Sequence, residues 1–128
     1  MSKPTVAILG SSADRSKFGN KSLRAHQQAG WEVFPVNPRG GEIEGLTAYE
    51  SIEDVPVDNL NRVSMYLPPA VGIKLLDKIA AKGCEELWLN PGSESPELFN
   101  RAVELNLNPI AACSIVDLGL RPSDFPDA

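Results

Sequence analysis

A glycine followed by two serines is the first place in the sequence where the residue types indicate chemistry. Gly10, Ser11 and Ser12 come directly after the apolar run at residues 5–9, and a polar loop continues from them to Gly19. Glycine allows a tight turn, and serine hydroxyls and backbone N–H groups donate hydrogen bonds. A helix-like segment at residues 20–29 follows, and the N-terminus of a helix attracts anions. The pattern therefore predicts a phosphate-sized anion site between a buried strand and a helix.

Three further turns carry residues that could complete such a site. Asn37-Pro38-Arg39 follows a second apolar run, Leu67-Pro68-Pro69 ends a third, and Asn90-Pro91-Gly92 ends a fourth. The guanidinium of Arg39 can bind a phosphate through two parallel hydrogen bonds. The other two turns offer apolar and small residues, which are typical of the walls of a binding site.

The predicted elements decide where these four turns lie. Strands are predicted at residues 5–9, 31–37, 62–67, 86–89 and 110–112. Helices are predicted at 20–29, at 70–82 and from Ser95 onward. The inward-facing residues of the last helix are predicted to be Leu98, Phe99, Ala102 and Val103. Continuous apolar strands that alternate with helices are typical of a parallel sheet covered on both faces. We therefore predict an α/β fold, a Rossmann-like five-stranded parallel sheet of order 3-2-1-4-5 with helices on both faces. Ligands bind at the carboxyl ends of such strands, where all four turns converge.

Composition limits the classes of partner. The chain has 128 residues, 42% of them hydrophobic, and a formal net charge of −5. This predicts one domain over residues 1–128, with residues 113–128 as an irregular C-terminal tail. Without a block of lysines and arginines it is not expected to bind nucleic acid, and without an apolar run of about 20 residues it is not expected to enter a membrane. We expect a soluble, cytoplasmic protein, whose tail residues Leu118, Leu120 and Phe125 are exposed and allow a homodimer or an unknown protein partner.

The ligand can be narrowed from the residues themselves. The GxGxxG fingerprint of NAD-binding sheets is absent, and Arg39 stands where an acidic residue would bind the ribose hydroxyls. A cation at that place favours a phosphorylated ribose. NADP carries such a phosphate at the 2′ position and coenzyme A carries one at the 3′ position, and both remain open on this reasoning.

No catalytic set is visible in the sequence. His26 is the only histidine and falls in the first helix, away from the strand ends, and no metal-ligating cluster is present. Cys84 and Cys113 are far apart and belong to no CxxC motif. Cys113 follows the last strand, so thiol chemistry beside a bound ligand stays an alternative. Loop acids such as Glu44 are expected to be solvated.

Taken together, the motifs resemble those of the small stand-alone CoA-binding proteins, whose domain is shared with the N-terminal half of the succinyl-CoA synthetase α subunit. The resemblance runs from Val6 to about Ile115. It rests on six short motifs in the same order: Ala-Ile-Leu-Gly-Ser-Ser at 7–12, Lys-Phe-Gly-Asn-Lys at 17–21, Val-Asn-Pro-Arg at 36–39, Gly-Leu-Thr-Ala-Tyr at 45–49, Tyr-Leu-Pro-Pro-Ala at 66–70 and Trp-Leu-Asn-Pro-Gly at 88–92.

The resemblance implies a role for each candidate residue. The pyrophosphate of coenzyme A would be held by Gly10, Ser11 and Ser12, and the far wall of that loop would be formed by Ser16, Lys17 and Phe18. The 3′-phosphate would pair with Arg39, which follows Asn37 and Pro38. The adenine would pack against Leu67, Pro68 and Pro69, and the pantetheine arm would lie near Asn90, Pro91 and Gly92. Relatives commonly have glutamine in place of Asn90 and often arginine in place of Ala112. The resemblance implies non-catalytic binding of coenzyme A or an acyl-CoA. The alternatives are an NADP(H)-binding or redox-sensing domain and an interaction subunit without a ligand.

Overall fold

The structure is a computed structural model that describes residues 3–128. Its strands and α-helices are, in chain order, β1 (Thr5–Leu9), α1 (Phe18–Gln28), β2 (Glu32–Val36), β3 (Glu42–Ile43), β4 (Leu46–Thr47), β5 (Leu60–Met65), α2 (Pro69–Gly72), α3 (Leu76–Lys82), β6 (Cys84–Leu89), α4 (Pro96–Glu104), β7 (Pro109–Ile110) and α5 (Ser114–Asp117). Short 3-10 turns occur at Ile52–Asp54, Ile73–Leu75 and Pro122–Asp124.

Five parallel strands form the central sheet in the order β2-β1-β5-β6-β7, while β3 and β4 form a separate antiparallel hairpin. Tyr49 adds an isolated parallel bridge to Val36 on the outer side of β2. Counted as the third position, this bridge gives the predicted 3-2-1-4-5 pattern as far as β6, and β7 adds a sixth position. The strand predicted at 62–67 is β5, which lies on the other side of β1 from β2. From β1 the chain continues to β2 on one side and then crosses to β5, β6 and β7 on the other side. The carboxyl ends of β1 and β5 therefore flank a topological switch point.

Apolar cores on both faces of the sheet explain why its strands read as continuous apolar runs. Val6 and Ile8 point to one face and pack with Leu23 of α1, while Ala7 and Leu9 point to the other face, towards α3 and α4. All four strand residues are at most 1% exposed. The prediction of an α/β Rossmann-like sheet with helices on both faces is confirmed.

Two glycines bring the start of α1 onto the end of β1. Gly10 has φ +87°, and a Cβ atom there would lie 2.5 Å from the carbonyl oxygen of Tyr66. A Cβ atom at Gly19 would collide with the carbonyl oxygen of Gly10. Only glycine fits both positions, so the first turn of α1 lies against the loop that follows β1.

Three predicted details differ from the structure. The helix predicted at 70–82 is divided into α2 and α3 by the 3-10 turn Ile73–Leu75. The predicted last strand, 110–112, is the shorter β7, and Ala111 and Ala112 are exposed. Val103, predicted to face inward, is 53% exposed, whereas Leu98 and Ala102 are fully buried. The sheet ends at the two-residue β7, so no further strand covers the side of α4 that carries Val103.

The segment predicted to be an irregular tail is ordered against the sheet and α1. It contains α5 and the 3-10 turn Pro122–Asp124. Phe125 is only 6% exposed and packs with Ala25 and Ile115, and Leu118 and Leu120 are half-buried against the same cluster. These residues are therefore not the exposed apolar surface that the sequence predicted, because they cover α1. None of the helices within residues 3–128 is long and apolar enough to cross a membrane.

Candidate functional site

Two adjoining cavities lie at the carboxyl edge of the sheet, and we call them together the cleft. The first, of about 560 Å³, lies between the loops that follow β1, β5 and β6. The second, of about 630 Å³, lies between the β1 loop, the β2 loop and β3. Both are lined by Ser12, Asn37 and Pro38. Of the fifteen predicted site residues, the cleft brings together Gly10, Ser11, Ser12, Lys17, Phe18, Asn37, Pro38, Arg39, Leu67, Pro68, Pro91 and Gly92, and it is not lined by Ser16, Pro69 or Asn90.

Two carbonyl groups of the β1 loop accept hydrogen bonds from side-chain amides. Asn37 Nδ2 donates a hydrogen bond to Ser11 O at 2.7 Å, and Asn20 Nδ2 donates one to Ser12 O at 2.8 Å. In a trans peptide the N–H group points opposite to the preceding carbonyl. The N–H groups of Ser12 and Ala13 therefore point away from these two amides, and neither has an acceptor within residues 3–128. Both residues line the cleft, where their N–H groups can bind an anion.

The donors of Gly10 and Ser11 serve the fold instead. The N–H groups of both residues donate to Val36 O, at 3.2 and 3.3 Å. The Ser11 hydroxyl, which is 1% exposed, donates to Ile8 O at 2.7 Å. These bonds fix the loop to β1 and β2. They leave Ser12, Ala13 and the start of α1 as the source of free donors.

Helix α1 presents an uncapped N-terminus to the cleft. Its N-cap residue is Lys17, whose side chain forms no capping hydrogen bond, and its first turn contains no acidic residue. The N–H groups of Phe18 and Gly19 have no intrahelical acceptor at this position. Phe18 is 59% exposed, and both residues line the cleft. The positive end of the helix dipole and the Lys17 ammonium add to the attraction for an anion.

An ion pair braces the outer side of the β1 loop. Arg15 donates from Nη2 to Glu44 Oε1 at 2.7 Å and from Nε to Glu44 Oε2 at 3.1 Å, and Asn20 Nδ2 donates to the same carboxylate at 3.1 Å. These hydrogen bonds lower the pKa of Glu44 to about 2. The expectation that Glu44 is solvated was wrong, because the β3–β4 hairpin places it against the loop.

Arg39 stands at the second cavity without a partner of its own. Its N–H donates to Asn37 Oδ1 at 2.8 Å, while its exposed side chain forms no hydrogen bond or ion pair in the part of the chain that the structure describes. Asn37 thus holds Ser11 O with one end of its amide and the N–H of Arg39 with the other. This clamp fixes the β1 loop and the β2 loop relative to each other.

Asn90 lies beneath the cleft rather than in its wall. Its side chain is fully buried and donates from Nδ2 to Ser64 Oγ and to Met65 O, both at 2.9 Å. Its Oδ1 accepts hydrogen bonds from the N–H and the hydroxyl of Ser114, at 2.9 and 3.1 Å. Both ends of the amide are therefore used inside the fold, where they connect α5 to the sheet.

Several residues line the cleft that the candidate set did not include: Ala13, Asp14, Gly19, Gly40, Glu42, Ile43, Tyr66 and Ser93. Tyr66 directly precedes Leu67-Pro68-Pro69, so its place at the end of a strand was a usable signal. Burial raises the pKa of Tyr66, and its hydroxyl lies 3.2 Å from Ser114 Oγ. Neither cysteine lines the cleft, and burial raises the pKa of Cys84 to about 12.

A buried ionic cluster lies nearer the amino ends of the strands, outside the cleft. Arg62 is 4% exposed, and its guanidinium lies 4.6 Å from the ring centroids of both Trp31 and Trp88. It donates to Asp117 at 2.7 Å and to Glu86 at 3.2 Å. The cluster connects α5 and β6 to β5, and the sequence reading did not identify it.

Comparison with known proteins is consistent with this geometry. A family model described as "CoA binding domain" matches residues 4–119. The ADP-forming acetate–CoA ligase of Methanocaldococcus jannaschii is 30% identical over 79 residues, which are 62% of this chain and 11% of the relative. The ADP-forming acetate–CoA ligase II subunit alpha of Pyrococcus furiosus is 39% identical over 54 residues, 40% of this chain and 11% of the relative. The chain thus spans about a tenth of the length of these two relatives.

Solved structures of quite different length share the fold. A conserved hypothetical protein from Pyrococcus furiosus is 32% identical with a TM-score of 0.80, and the match covers 89% of this chain and 98% of that protein. The dinucleotide-forming acetyl-coenzyme A synthetase 1 of Candidatus Korarchaeum cryptofilum is 25% identical with a TM-score of 0.72, over 84% of this chain and 26% of that enzyme. The same fold therefore occurs both in a chain of this size and as part of a large enzyme.

Proposed function

The chain belongs to the CoA binding domain family, and from that premise we propose that it binds coenzyme A or an acyl-CoA in the cleft without catalysing a reaction. One observation carries the proposal. Two separate groups in the cleft could hold phosphate: the N–H groups at Ser12 and the start of α1, and the guanidinium of Arg39, and neither group has a partner within residues 3–128. Coenzyme A carries a diphosphate and a separate 3′-phosphate, which matches this arrangement.

The proposed placement follows the chemistry of each wall. The diphosphate accepts hydrogen bonds from the N–H groups of Ser12, Ala13 and the first turn of α1, and the 3′-phosphate pairs with Arg39. Leu67 and Pro68 offer an apolar surface for the adenine. The roles of Ser16, Pro69 and Asn90 in ligand contact stay predictions from the resemblance, since none of the three lines the cleft.

The thiol end of the ligand would leave the cleft beside Pro91 and Gly92. Both residues are exposed, so this end of the cleft is open to solvent. An open exit accommodates an acyl group as well as a free thiol. We therefore propose that the site accepts acyl-CoA without selecting strongly for the acyl chain.

The ionisable groups of the cleft support a binding role rather than catalysis. They are Asp14, Lys17, Arg39, Glu42 and Tyr66. Neither His26 nor the two cysteines lie among the lining residues of either cavity. Holding the nucleotide end of the ligand requires only the donors and cations described above.

Isothermal titration calorimetry tests the proposal with three ligands: coenzyme A, dephospho-coenzyme A and NADP. We expect coenzyme A to bind, dephospho-coenzyme A to bind more weakly, and Arg39→Ala to remove the difference. A charge-assisted contact accounts for about 1.5–3 kcal/mol of binding free energy. Lys74→Ala, which removes an exposed positive charge on the 3-10 turn between α2 and α3, is the control and should leave the difference unchanged.

Each adverse result has a separate meaning. Equal affinity for coenzyme A and dephospho-coenzyme A would mean that Arg39 does not bind the 3′-phosphate. Binding of NADP in the absence of coenzyme A binding would replace the proposal with an NADP site. Binding of none of the three would favour an interaction subunit.

A further inference from the structure

The last residues of the sequence lie along α1, next to the loop that carries the free N–H donors. Phe125 is buried against Ala25 of α1, and the chain continues from it to Ala128. We call residues 125–128 the clasp. They lie outside the range 4–119 over which the family model matches, so the family resemblance assigns them no role.

Three cations of the β1 loop and α1 bind the clasp. Lys21 Nζ donates to Phe125 O at 2.8 Å and to the Asp127 carboxylate at 2.6 Å. Arg24 Nη2 donates to Pro126 O at 2.9 Å, and its guanidinium lies 5.7 Å from the centroid of the Phe125 ring. Arg15 Nη1 donates to Ala128 O at 3.1 Å. Each of the four clasp residues is thus bound by at least one side chain of the loop or of α1.

Arg24 connects the clasp to the donor loop. The same Nη2 atom that donates to Pro126 O also donates to Arg15 O at 3.0 Å, inside the loop. Arg24 Nε donates to Asn20 Oδ1 at 2.7 Å. This second bond fixes the orientation of the Asn20 amide, whose Nδ2 then faces Ser12 O. A continuous series of hydrogen bonds therefore runs from the clasp through Arg24 and Asn20 to Ser12.

This series of hydrogen bonds fixes the orientation of the peptide group between Ser12 and Ala13, whose N–H is one of the donors that can bind an anion. With Ser12 O bound by Asn20, the N–H of Ala13 points away from the amide. If the Asn20 amide were free to rotate, the Ser12 carbonyl could turn towards the cleft and present its negative end to a phosphate. A loop that is held in its binding conformation before the ligand arrives does not lose that ordering entropy on binding.

We propose that the clasp is a positioning element: acting through Arg24 and Asn20, residues 125–128 hold the donor loop in its anion-binding conformation and thereby strengthen the binding of coenzyme A. The ligand named here rests on the proposed function. The effect on the loop does not, since it follows from contacts within the protein alone.

The experiment compares the full chain with a variant that lacks residues 125–128. Hydrogen exchange is measured at the amides of Ser16 and Lys17, which are bonded within the loop to Asp14 at 2.9 and 3.1 Å. We expect both amides to exchange about tenfold faster in the shortened chain, because the loop opens more often. The affinity for coenzyme A should fall about tenfold, whereas the affinity for adenosine 3′-phosphate, which has no diphosphate, should not change.

Two further variants complete the test. If circular dichroism shows that the shortened chain does not fold, Arg24→Lys takes its place. Arg24 bonds to Asn20 through Nε and to Arg15 O and Pro126 O through Nη2, whereas a lysine has a single nitrogen to stand in for the two. This variant should weaken coenzyme A binding about threefold. Glu104→Gln is the matched control: it removes the ion pair between Arg101 and Glu104 on α4, and the Glu104 side chain is 66% exposed, compared with 69% for Asp127. It should change neither measurement.

The outcomes separate the two proposals. If hydrogen exchange at Ser16 and Lys17 is the same in the shortened chain as in the full chain, the proposed role of the clasp is wrong. It is also wrong if the shortened chain loses affinity equally for coenzyme A and for adenosine 3′-phosphate. If the full chain does not bind coenzyme A, the proposed function is wrong, and the exchange rates alone still decide whether the clasp positions the loop.

Discussion

Two arginines of the same sheet have opposite surroundings. Arg62 is 4% exposed, lies between two tryptophan rings and donates to two carboxylates. Arg39 is exposed, and within residues 3–128 its guanidinium has no partner. The first lies towards the amino ends of the strands and the second at the carboxyl edge.

The difference shows that the surroundings of an arginine decide which purpose it can serve. A cation whose charge is compensated by carboxylates and aromatic faces contributes to the folded state itself. A cation without such compensation, standing beside a cavity, is available to a ligand. Arginine type alone predicts neither role, and the surroundings decide between them. Four substitutions or titrations can test this contrast.

The largest expected effect is the loss of stability in Arg62→Leu. The substitution removes both cation–π contacts and leaves Asp117 and Glu86, whose side chains are 42% and 36% exposed, without their cation. Because the remaining carboxylates are partly solvated, the two contacts with the tryptophan rings account for most of the loss, and the free energy of unfolding should fall by about 4 kcal/mol. Urea unfolding followed by circular dichroism measures it. Arg101→Leu, which breaks exposed ion pairs with Asp77 and Glu104, is the control and should cost at most about 1 kcal/mol. Similar losses in the two variants would contradict a special role for Arg62.

A pH dependence follows from the histidine beside Arg62. His26 Nδ1 donates to Ser22 O at 2.8 Å, so Nε2 is the acceptor that faces Arg62 Nη1 at 3.3 Å, and the ring is neutral. Burial, and then the charge of Arg62, lower the pKa of His26 from 6.5 to about 4. The unfolded state therefore takes up the proton first as the pH falls. The contribution of His26 to the free energy of unfolding is therefore constant above about pH 6.5, and it should lower that free energy by roughly 3 kcal/mol as the pH falls from there to pH 4.

The same pH dependence distinguishes His26 from the carboxylates that titrate nearby. His26→Gln keeps an acceptor for Arg62 but cannot be protonated. The difference in unfolding free energy between the natural chain and this variant, measured from pH 7 to pH 4, should therefore show the histidine alone. Parallel curves for the two proteins would mean that His26 is charged or exposed in the folded state.

Asn90→Ala should have an intermediate effect. The substitution removes the acceptor of the Ser114 N–H and a donor to Ser64, and leaving such buried groups unpaired costs about 2 kcal/mol of unfolding free energy. Thermal or urea unfolding would detect this loss. Titration of the same variant with coenzyme A adds a second readout, because an unchanged affinity would contradict the contact with the pantetheine arm that the family resemblance implies.

The smallest expected effect is on the stability of Arg39→Ala. A side chain without partners in the fold can be removed with a change within about 0.5 kcal/mol in the free energy of unfolding. Its loss should be visible only in ligand titrations. A loss of more than about 1 kcal/mol in the absence of ligand would show that Arg39 is held by the protein, and the contrast with Arg62 would fail.

The sheet, and the edge at which the four predicted turns meet, could be predicted because both follow from local patterns. A parallel strand that is buried on both faces is apolar along its length, as residues 5–9 are, and glycine ends a helix where φ is positive, as at Gly30 and Gly83. Once the alternation is clear, the carboxyl edge follows from topology. Twelve of the fifteen predicted site residues accordingly line the cleft.

The pairing of charged groups could not be predicted in the same way. Arg15 and Glu44 are 29 positions apart, and Lys21 and Phe125 are 104 positions apart. No periodicity joins residues at such distances, so the sequence predicts a solvated Glu44 and an exposed Phe125. The same limit applies to Ser11, since its residue type shows that it can donate but only the fold shows that Ile8 O takes the hydrogen bond.

The placement of the tryptophans has a consequence for spectroscopy. The chain has two, Trp31 and Trp88, and both lie against Arg62, outside the cleft. The intrinsic emission of the protein is therefore a reporter of the folded sheet and should change little when the cleft is filled. A third indole introduced by Phe18→Trp, on an exposed position of the cleft, would supply a signal for occupancy that the natural chain lacks.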